Sequence, residues 1–151
     1  MAVRVQAEDF DVGAALEALT AGRSDVGGVA SFVGLVRDMA PPDRLVAMTL
    51  EHYPGMTETE LARLEAEARA RWPLSDCLIV HRYGRLTPGD RIVLVAAASA
   101  HRQAALEACA FLIDWLKTQA PFWKLEETEA AGRRWVEAKA ADDQAAARWQ
   151  G

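Results

Sequence analysis

The sequence predicts a single domain of the α+β class over residues 1–151. The chain has 151 residues, of which 51% are hydrophobic, and this is enough to bury one proper core. Short apolar runs rich in β-branched residues predict strands, whereas other segments repeat apolar residues at helical spacing. Proline and glycine pairs separate several of these runs and indicate tight turns.

The N-terminal part predicts two strands and one helix. Val3–Val5 begins a short alternating strand at a sheet edge, and Asp9 or Asp11 can cap a helix that ends near Gly22. The run Val26–Val36 mixes β-branched residues with glycines. This composition predicts a strand that bends or lets another segment approach its backbone closely.

A proline-containing loop follows over residues 38–44. It has two prolines and no hydrophobic periodicity, so we expect it to be exposed and mobile, and a lid is one role for it. Leu45–Tyr53 predicts another strand. Thr57 and Glu60 form a capping box that opens a helix ending before Pro73.

The second half predicts a hairpin, a long helix and a last pair of strands. Cys77–Tyr83 and Arg91–Ala97 are strand-like and are joined through a turn at 86–90, which favours an antiparallel hairpin. Ser99 then caps a helix that ends at Pro121. The residues this helix is expected to bury are Leu106, Cys109, Leu112, Ile113 and Leu116. The final elements are predicted as strands at Phe122–Glu126 and Arg134–Glu137 and a polar helix or tail at 142–151.

The charge balance excludes several classes of protein. The net charge of −5 and a pI of about 5.2 argue against broad electrostatic binding to nucleic acid or acidic membranes. The first residues do not resemble a signal peptide, and no apolar run is long enough to cross a bilayer. Cys77 and Cys109 lack CxxC spacing and lie in apolar segments, which is typical of buried cysteines in a reduced cytoplasm. We expect a cytoplasmic protein with no metal and no resident cofactor.

Lysine is rare in this chain, and two lysines bracket one octapeptide. Of the 17 basic residues only three are lysines, and Lys117 and Lys124 enclose the stretch KTQAPFWK. Burial or a cationic neighbour can push a lysine, unlike an arginine, towards neutrality. Lys117 also has a structural explanation, since a cation complements the carbonyl end of a helix. Lys124 follows two aromatic residues, and desolvation there would make it a better base or nucleophile.

Two further positions combine positive charge with structure that can orient it. His101 and Arg102 stand at a predicted helix start, where unpaired N–H groups and the helix dipole favour a phosphate or carboxylate. Arg37 ends a glycine-containing strand before the proline loop. Each also has an ordinary interpretation as a solvated or ion-paired side chain. His52 and His81 are interpreted as structural histidines, since no spacing supports a zinc site.

Six stretches spread along the chain carry a family resemblance. They are FVGLVR (32–37), LEHYPGMTE (50–58), HRYGRLTPGD (81–90), SAHR (99–102), DWLKTQAPFWKLE (114–126) and RWVEAK (134–139). In this order they resemble the large, catalytic subunit of molybdopterin synthase. The resemblance implies an α/β hammerhead fold with an additional antiparallel β subdomain.

The resemblance also implies partners and a reaction. The family forms a homodimer that binds a small ubiquitin-like sulfur-carrier subunit at each end, which makes a heterotetramer. The implied reaction converts cyclic pyranopterin monophosphate into molybdopterin by adding two sulfurs as a dithiolene. The sulfur arrives as a thiocarboxylate on the C-terminal Gly-Gly tail of the carrier. Both substrates are anionic, which accounts for a local cationic cluster in an acidic protein.

Most of the cations singled out above match the family's substrate site. The matching positions are Leu35, Val36, Arg37, His101, Arg102, Lys117, Lys124, Leu125 and Glu126, with Lys139 implied as a contribution from the neighbouring subunit. For catalysis we expect Lys117 to stabilise an oxyanion and Lys124 to act as general acid–base. Leu125 stands where the family often has another basic residue.

Two other functions remain open at this stage. A non-catalytic module that binds an anionic nucleotide, or the acidic tail of a partner, needs the same cluster of cations. The chain has no GxGxxG, Walker or GxSxG motif, which argues against the common nucleotide-binding and acyl-hydrolase families. A phosphoesterase is disfavoured because metal-ligand spacing is missing from the sequence.

Overall fold

The computed structural model of the chain describes residues 3–136 and 140–150, which form two four-stranded sheets and four helices. The strands are β1 Val3–Gln6, β2 Gly28–Leu35, β3 Leu45–His52, β4 Leu74–Arg82, β5 Gly84–Leu86, β6 Arg91–Ser99, β7 Phe122–Thr128 and β8 Gly132–Val136. The helices are α1 Val12–Thr20, α2 Met56–Arg71, α3 Arg102–Gln119 and α4 Ala140–Ala147. The α+β class is confirmed. Across the described ranges, no helix is both long and apolar enough to cross a membrane.

The first sheet has the strand order β1-β4-β6-β2, so β1 and β2 form its edges. β1 runs parallel to β4, and the other two pairs are antiparallel. Successive side chains of β4 point to opposite faces of the first sheet, and each face packs against a different part of the core. Leu78 and Val80 pack with Leu19 of α1, whereas Cys77 and Ile79 join the main core with α2 and α3.

The second sheet has the order β5-β3-β7-β8 and is antiparallel throughout. Met48 and Leu50 of β3 point into the main core, so the two sheets share it. The predicted antiparallel pairing of β4 with β6 is confirmed. The prediction of a simple hairpin is wrong. In the chain β5 comes between β4 and β6, and it pairs with β3 in the second sheet.

The predicted cap of α1 is confirmed, and that of α2 is wrong. Asp11 Oδ1 accepts a hydrogen bond of 3.0 Å from the N–H of Ala14. At α2 the Glu58 carboxylate accepts from the N–H of Gly55 at 2.6 Å, so the capping pair lies two residues before the predicted one. Thr57 is fully buried inside the first turn. The turn at Gly55, whose φ is 87°, sets this earlier start.

The predicted start of α3 is also wrong. Ser99 is the last residue of β6, and its hydroxyl donates to the carbonyl of Pro73 at 2.9 Å. The helix begins at Arg102, with His101 at the N-cap position. Cys109, Leu112 and Leu116 are buried as expected, and Ile113 is partly buried. Leu106 is 60% exposed, which contradicts the prediction that it lies in the core.

The C-terminal segment packs back onto the helices. The Nε1 of Trp149 donates to the Asp114 carboxylate at 2.7 Å. Its ring meets Trp72 and Phe111 edge-on, with centroids 5.6 and 5.8 Å apart. The predicted polar helix or tail is therefore a helix, α4, followed by an aromatic anchor.

Candidate active site

A cavity of about 200 Å³ lies where the end of β2, the end of α3 and strand β7 meet. Its lining residues are Leu35, Val36, Arg37, Met39, Leu45, Met48, Ile92, Lys117, Lys124, Glu126 and Val136. The predicted site residues among them are Leu35, Val36, Arg37, Lys117, Lys124 and Glu126. Three cations from three separate elements therefore meet at one small cavity.

Arg37 reaches the cavity from the irregular end of β2. The register of β2 against β6 shifts between Gly34 and Leu35. The N–H of Val36 then donates to the carbonyl of Asp90 at 2.8 Å, which ties the chain to the turn before β6. The predicted bend in this strand is confirmed, and it fixes the backbone directly before Arg37.

The two lysines of the cavity come from different elements. Lys117 lies in the last turn of α3, where its charge complements the carbonyl end of the helix. Lys124 is in β7, between β3 and β8, and pairs with Leu50 and Val136. Residues two apart on a strand share a face, so Lys124 and Glu126 both face the cavity.

The side chain of Leu125 lies on the other face of β7. It shares that face with Trp123 and pairs across strands with Trp135. The sequence predicts Leu125 as part of the site because it stands between Lys124 and Glu126. Its side chain is not among those that line the cavity, and its part in the site stays a prediction.

His101 and Arg102 lie at the opposite end of α3 from the cavity. Arg102 and Lys117 are fifteen residues apart on one helix, which separates their backbones by about 22 Å at the rise of an α-helix. The start of β2 is beside them, since a Cβ atom at Gly28 would lie 3.6 Å from the Cα of Arg102. Within one chain the structure therefore does not bring this pair to the other predicted site residues. Lys139 lies outside the described residues.

The loop 38–44 borders the cavity and is fastened at its base. Asp38 Oδ1 accepts from the N–H of Met39 at 2.8 Å and from the N–H of Leu45 at 2.9 Å. These backbone bonds lower the pKa of Asp38, and the guanidinium of Arg44, 3.5 Å away, adds to the effect. Met39 and Leu45 both line the cavity, so Asp38 holds part of its wall.

Both lysines affect the pKa of a buried histidine, His81. The pKa of His81 is lowered to about 3, mainly by burial, and the charges of Lys117, Lys124 and His52 contribute in the same direction. A hydrogen bond with the backbone of Arg82 acts in the opposite sense. The lysines are thus close enough to disfavour another positive charge in this part of the core.

A second, larger cleft offers a weaker site for an anion. It has a volume of about 480 Å³ and lies on the outer face of the second sheet. The described residues that line it are Glu51, His52, Tyr53, Trp123 and Trp135, and none of these is a lysine or arginine. The smaller cavity has three cations and is the better match for an anionic ligand.

Sequence reasoning missed the apolar wall of the cavity. This wall consists of Met39, Leu45, Met48, Ile92 and Val136. No local signal separates such residues from ordinary core residues, because the same strand alternation predicts both. In the parts of the chain that the structure describes, no group of three or more His, Cys, Asp or Glu side chains is arranged to hold a metal ion.

Comparisons with known proteins give consistent results. Residues 5–119 match the family model described as MoaE protein. The chain is 57% identical over 149 residues to the molybdopterin synthase catalytic subunit of Mesorhizobium japonicum, covering 98% of this chain and 92% of that protein.

Solved structures agree with these matches. The molybdopterin biosynthesis MoaE protein from Burkholderia ambifaria superposes with a TM-score of 0.84 at 52% identity, covering 99% of this chain and 98% of that one. A protein–protein complex of subunits 1 and 2 of molybdopterin-converting factor from Helicobacter pylori has a TM-score of 0.75 at 20% identity, covering 92% of each chain. The latter likeness concerns the fold alone.

Proposed function

The chain belongs to the family of molybdopterin synthase catalytic subunits, and we propose that its cationic cavity is where the reaction takes place. There, cyclic pyranopterin monophosphate gains two sulfurs and becomes molybdopterin. Each sulfur is delivered as a thiocarboxylate on the C-terminal Gly-Gly tail of a small carrier subunit. The observation that carries the proposal is the convergence of Arg37, Lys117 and Lys124 on one cavity.

The charges of the cavity suit these substrates. A phosphate and a thiocarboxylate are both anions, and the protein as a whole has a net charge of −5. Attraction must therefore come from a local cluster of cations, in a place where low dielectric strengthens it. Arg37 has the planar fork that matches phosphate oxygens, so we assign it to the phosphate.

Lys117 and Lys124 have separate roles in the proposal. The thiocarboxylate sulfur adds to an electrophilic carbon of the pterin side chain, and an oxygen substituent of that carbon leaves as water or as the released phosphate oxygen, so that a thioester forms. Water then hydrolyses the thioester, which returns the carrier as its carboxylate and leaves the sulfur on the pterin. Lys117 stabilises the oxyanion of the tetrahedral intermediate in that hydrolysis. Lys124 moves protons at the pterin carbons during addition and elimination. Glu126, on the same face of β7, lies beside these groups.

A second copy of the chain would bring His101 and Arg102 to the cavity. β2 is an edge strand of the first sheet, and its side chains Phe32 and Leu35 are 40% and 55% exposed. Edge strands pair readily with another chain. Antiparallel pairing of two β2 strands about a two-fold axis places the start of one, beside Arg102, next to the end of the other, before Arg37.

We extend the proposal to the assembly. A homodimer with a carrier subunit at each end makes a heterotetramer in the cytoplasm, with a hammerhead arrangement of the first sheet and its helices. Lys139 of the partner subunit belongs to the same shared site in this proposal. An aspartate at Phe32 would place charge on the pairing edge, so Phe32→Asp is expected to give monomers in sedimentation and to lose turnover. Val46→Asp, at a residue 44% exposed on the second sheet, is the matched control.

Reconstitution tests the reaction itself. The protein is mixed with thiocarboxylated carrier and the cyclic precursor, and dithiolene product is measured for the wild type, Lys117→Ala and Arg133→Ala. We expect product from the wild type and Arg133→Ala, whose side chain is on exposed β8, and a loss of turnover far greater than any loss of binding in Lys117→Ala. Binding of the precursor without any dithiolene product would favour the non-catalytic module instead.

A further inference from the structure

A buried histidine packs against the strand that carries Lys124. His81 is in β4 and is only 5% exposed. Its Nδ1 is 2.7 Å from the carbonyl oxygen of Arg82. A carbonyl can only accept, so Nδ1 carries the proton and donates it, and a neutral ring then presents Nε2 as a lone-pair acceptor.

The ring of His81 is held in place by the strand that carries Lys124. It stacks on Phe122 with centroids 3.7 Å apart and an interplanar angle of 17°. Phe122 is two residues before Lys124 and shares its face of β7. The hydrogen bond to Arg82 and this stack together fix both the position and the plane of the imidazole.

The surroundings of His81 determine which charge state it adopts. Burial is the main cause that lowers its pKa to about 3, and the charges of Lys117 in α3, Lys124 in β7 and His52 in β3 act in the same direction. At neutral pH the imidazole is therefore neutral and has no proton to spare at Nε2. It is a poor general acid, and what it offers its neighbours is one fixed acceptor.

Building on the proposed function, we propose that His81 is a positioning residue whose Nε2 accepts a hydrogen bond from the ammonium group of Lys117 or Lys124 and so orients that lysine in the cavity. An ammonium group has three donors on a flexible stem and needs an acceptor to fix it. A carboxylate at this place would pair with the lysines and weaken their attraction for anionic substrates. A neutral imidazole orients the amines and leaves their charge available.

Two substitutions separate the positioning role from a merely structural one. In His81→Gln the amide lies near the place of Nε2 and can accept from a lysine, but the donor to Arg82 is lost. In His81→Asn the amide lies near the place of Nδ1 and can keep that donor, but the acceptor is lost. Positioning predicts that His81→Asn lowers kcat by roughly 100-fold, the cost of a misplaced reacting group, while His81→Gln stays within about tenfold of the wild type. KM should change little in both.

The outcomes are read against the wild type in the reconstituted complex with carrier. Equal kcat in the two variants, better activity in His81→Asn, or an effect on KM alone would overturn the proposal. His52→Gln is the matched control, since it removes another ring near Phe122 and should keep nearly full activity. A wild type that makes no dithiolene product would refute the proposed function and leave the role of His81 to be decided by spectroscopy.

Nitrogen NMR of histidine-labelled protein supplies that measurement without any variant of His81. We expect the Nε2 resonance of His81 to show a neutral, hydrogen-bonded acceptor in the wild type. It should move towards the value of a free lone pair in Lys117→Ala or in Lys124→Ala. An Nε2 resonance that both lysine substitutions leave unchanged would overturn the proposal.

Discussion

Acidification should destabilise this protein through His81. In the folded chain, burial together with the charges of Lys117, Lys124 and His52 lowers the pKa of His81 from 6.5 to about 3. Between these two values the unfolded chain binds a proton that the folded chain does not, so the free energy of unfolding falls as the pH falls from about 6.5 towards 3. From pH 7 to pH 5 the loss is about 2 kcal/mol.

Urea unfolding at pH 7, 6 and 5 measures this loss in the wild type, His81→Asn and His52→Asn at one protein concentration. The free energy of unfolding of the wild type, minus that of His81→Asn, should fall by about 2 kcal/mol over this range, because only the wild type has the buried imidazole. His52→Asn should follow the wild type. A wild-type advantage that stays constant, or that grows towards pH 5, would refute the reasoning.

Three further substitutions test the parts of the fold that support the site. Gly27→Ala would put a Cβ atom 1.9 Å from the carbonyl oxygen of Ala100, so we expect the free energy of unfolding measured in urea to fall by about 3 kcal/mol. The control Gly13→Ala, in α1, should leave the stability unchanged or raise it by about 0.5 kcal/mol. Trp149→Ala removes the aromatic anchor on α3 and should lower the free energy of unfolding by about 2–3 kcal/mol in the same measurement. An unchanged free energy of unfolding would mean that the C-terminal segment does not support the core. Asp38→Ala loses both backbone bonds at the base of the loop, so trypsin should cut after Arg44 faster and KM for the precursor should rise. Unchanged cleavage after Arg44 would show that Asp38 does not hold the loop.

Much of the fold follows from local patterns in the sequence. Alternation and helical spacing locate the strands and helices, and the acidic cap at Asp11 is predicted correctly because one side chain and one N–H three residues later decide it. The predicted starts of α2 and α3 are misplaced because the turn at Gly55 and the end of β6 set them, and not the Thr57 and Ser99 side chains on which the predictions relied. The departure of β5 to the second sheet depends on contacts with β3 that no local pattern reveals.

Some features of the candidate site follow from periodicity. The predicted strand at 122–126 places Lys124 and Glu126 on one face and Leu125 on the other, so the position of the Leu125 side chain away from the cavity follows from alternation alone. The length of the helix predicted between Ser99 and Pro121 likewise separates Arg102 from Lys117. The exposure of Leu106, however, depends on which elements cover the helix, and the apolar wall of the cavity depends on how the two sheets meet.

Subunit mixing tests most directly the claim that one reaction site is built from the cavity of one chain and the helix start of another. Lys117→Ala and Arg102→Ala are each expected to be nearly inactive as homodimers in the reconstituted reaction. After unfolding and refolding together, about half of the dimers are mixed and each has one intact site, so turnover should recover to about a quarter of the wild type. If both residues served the same chain's cavity, every site would carry a substitution and mixing would restore nothing.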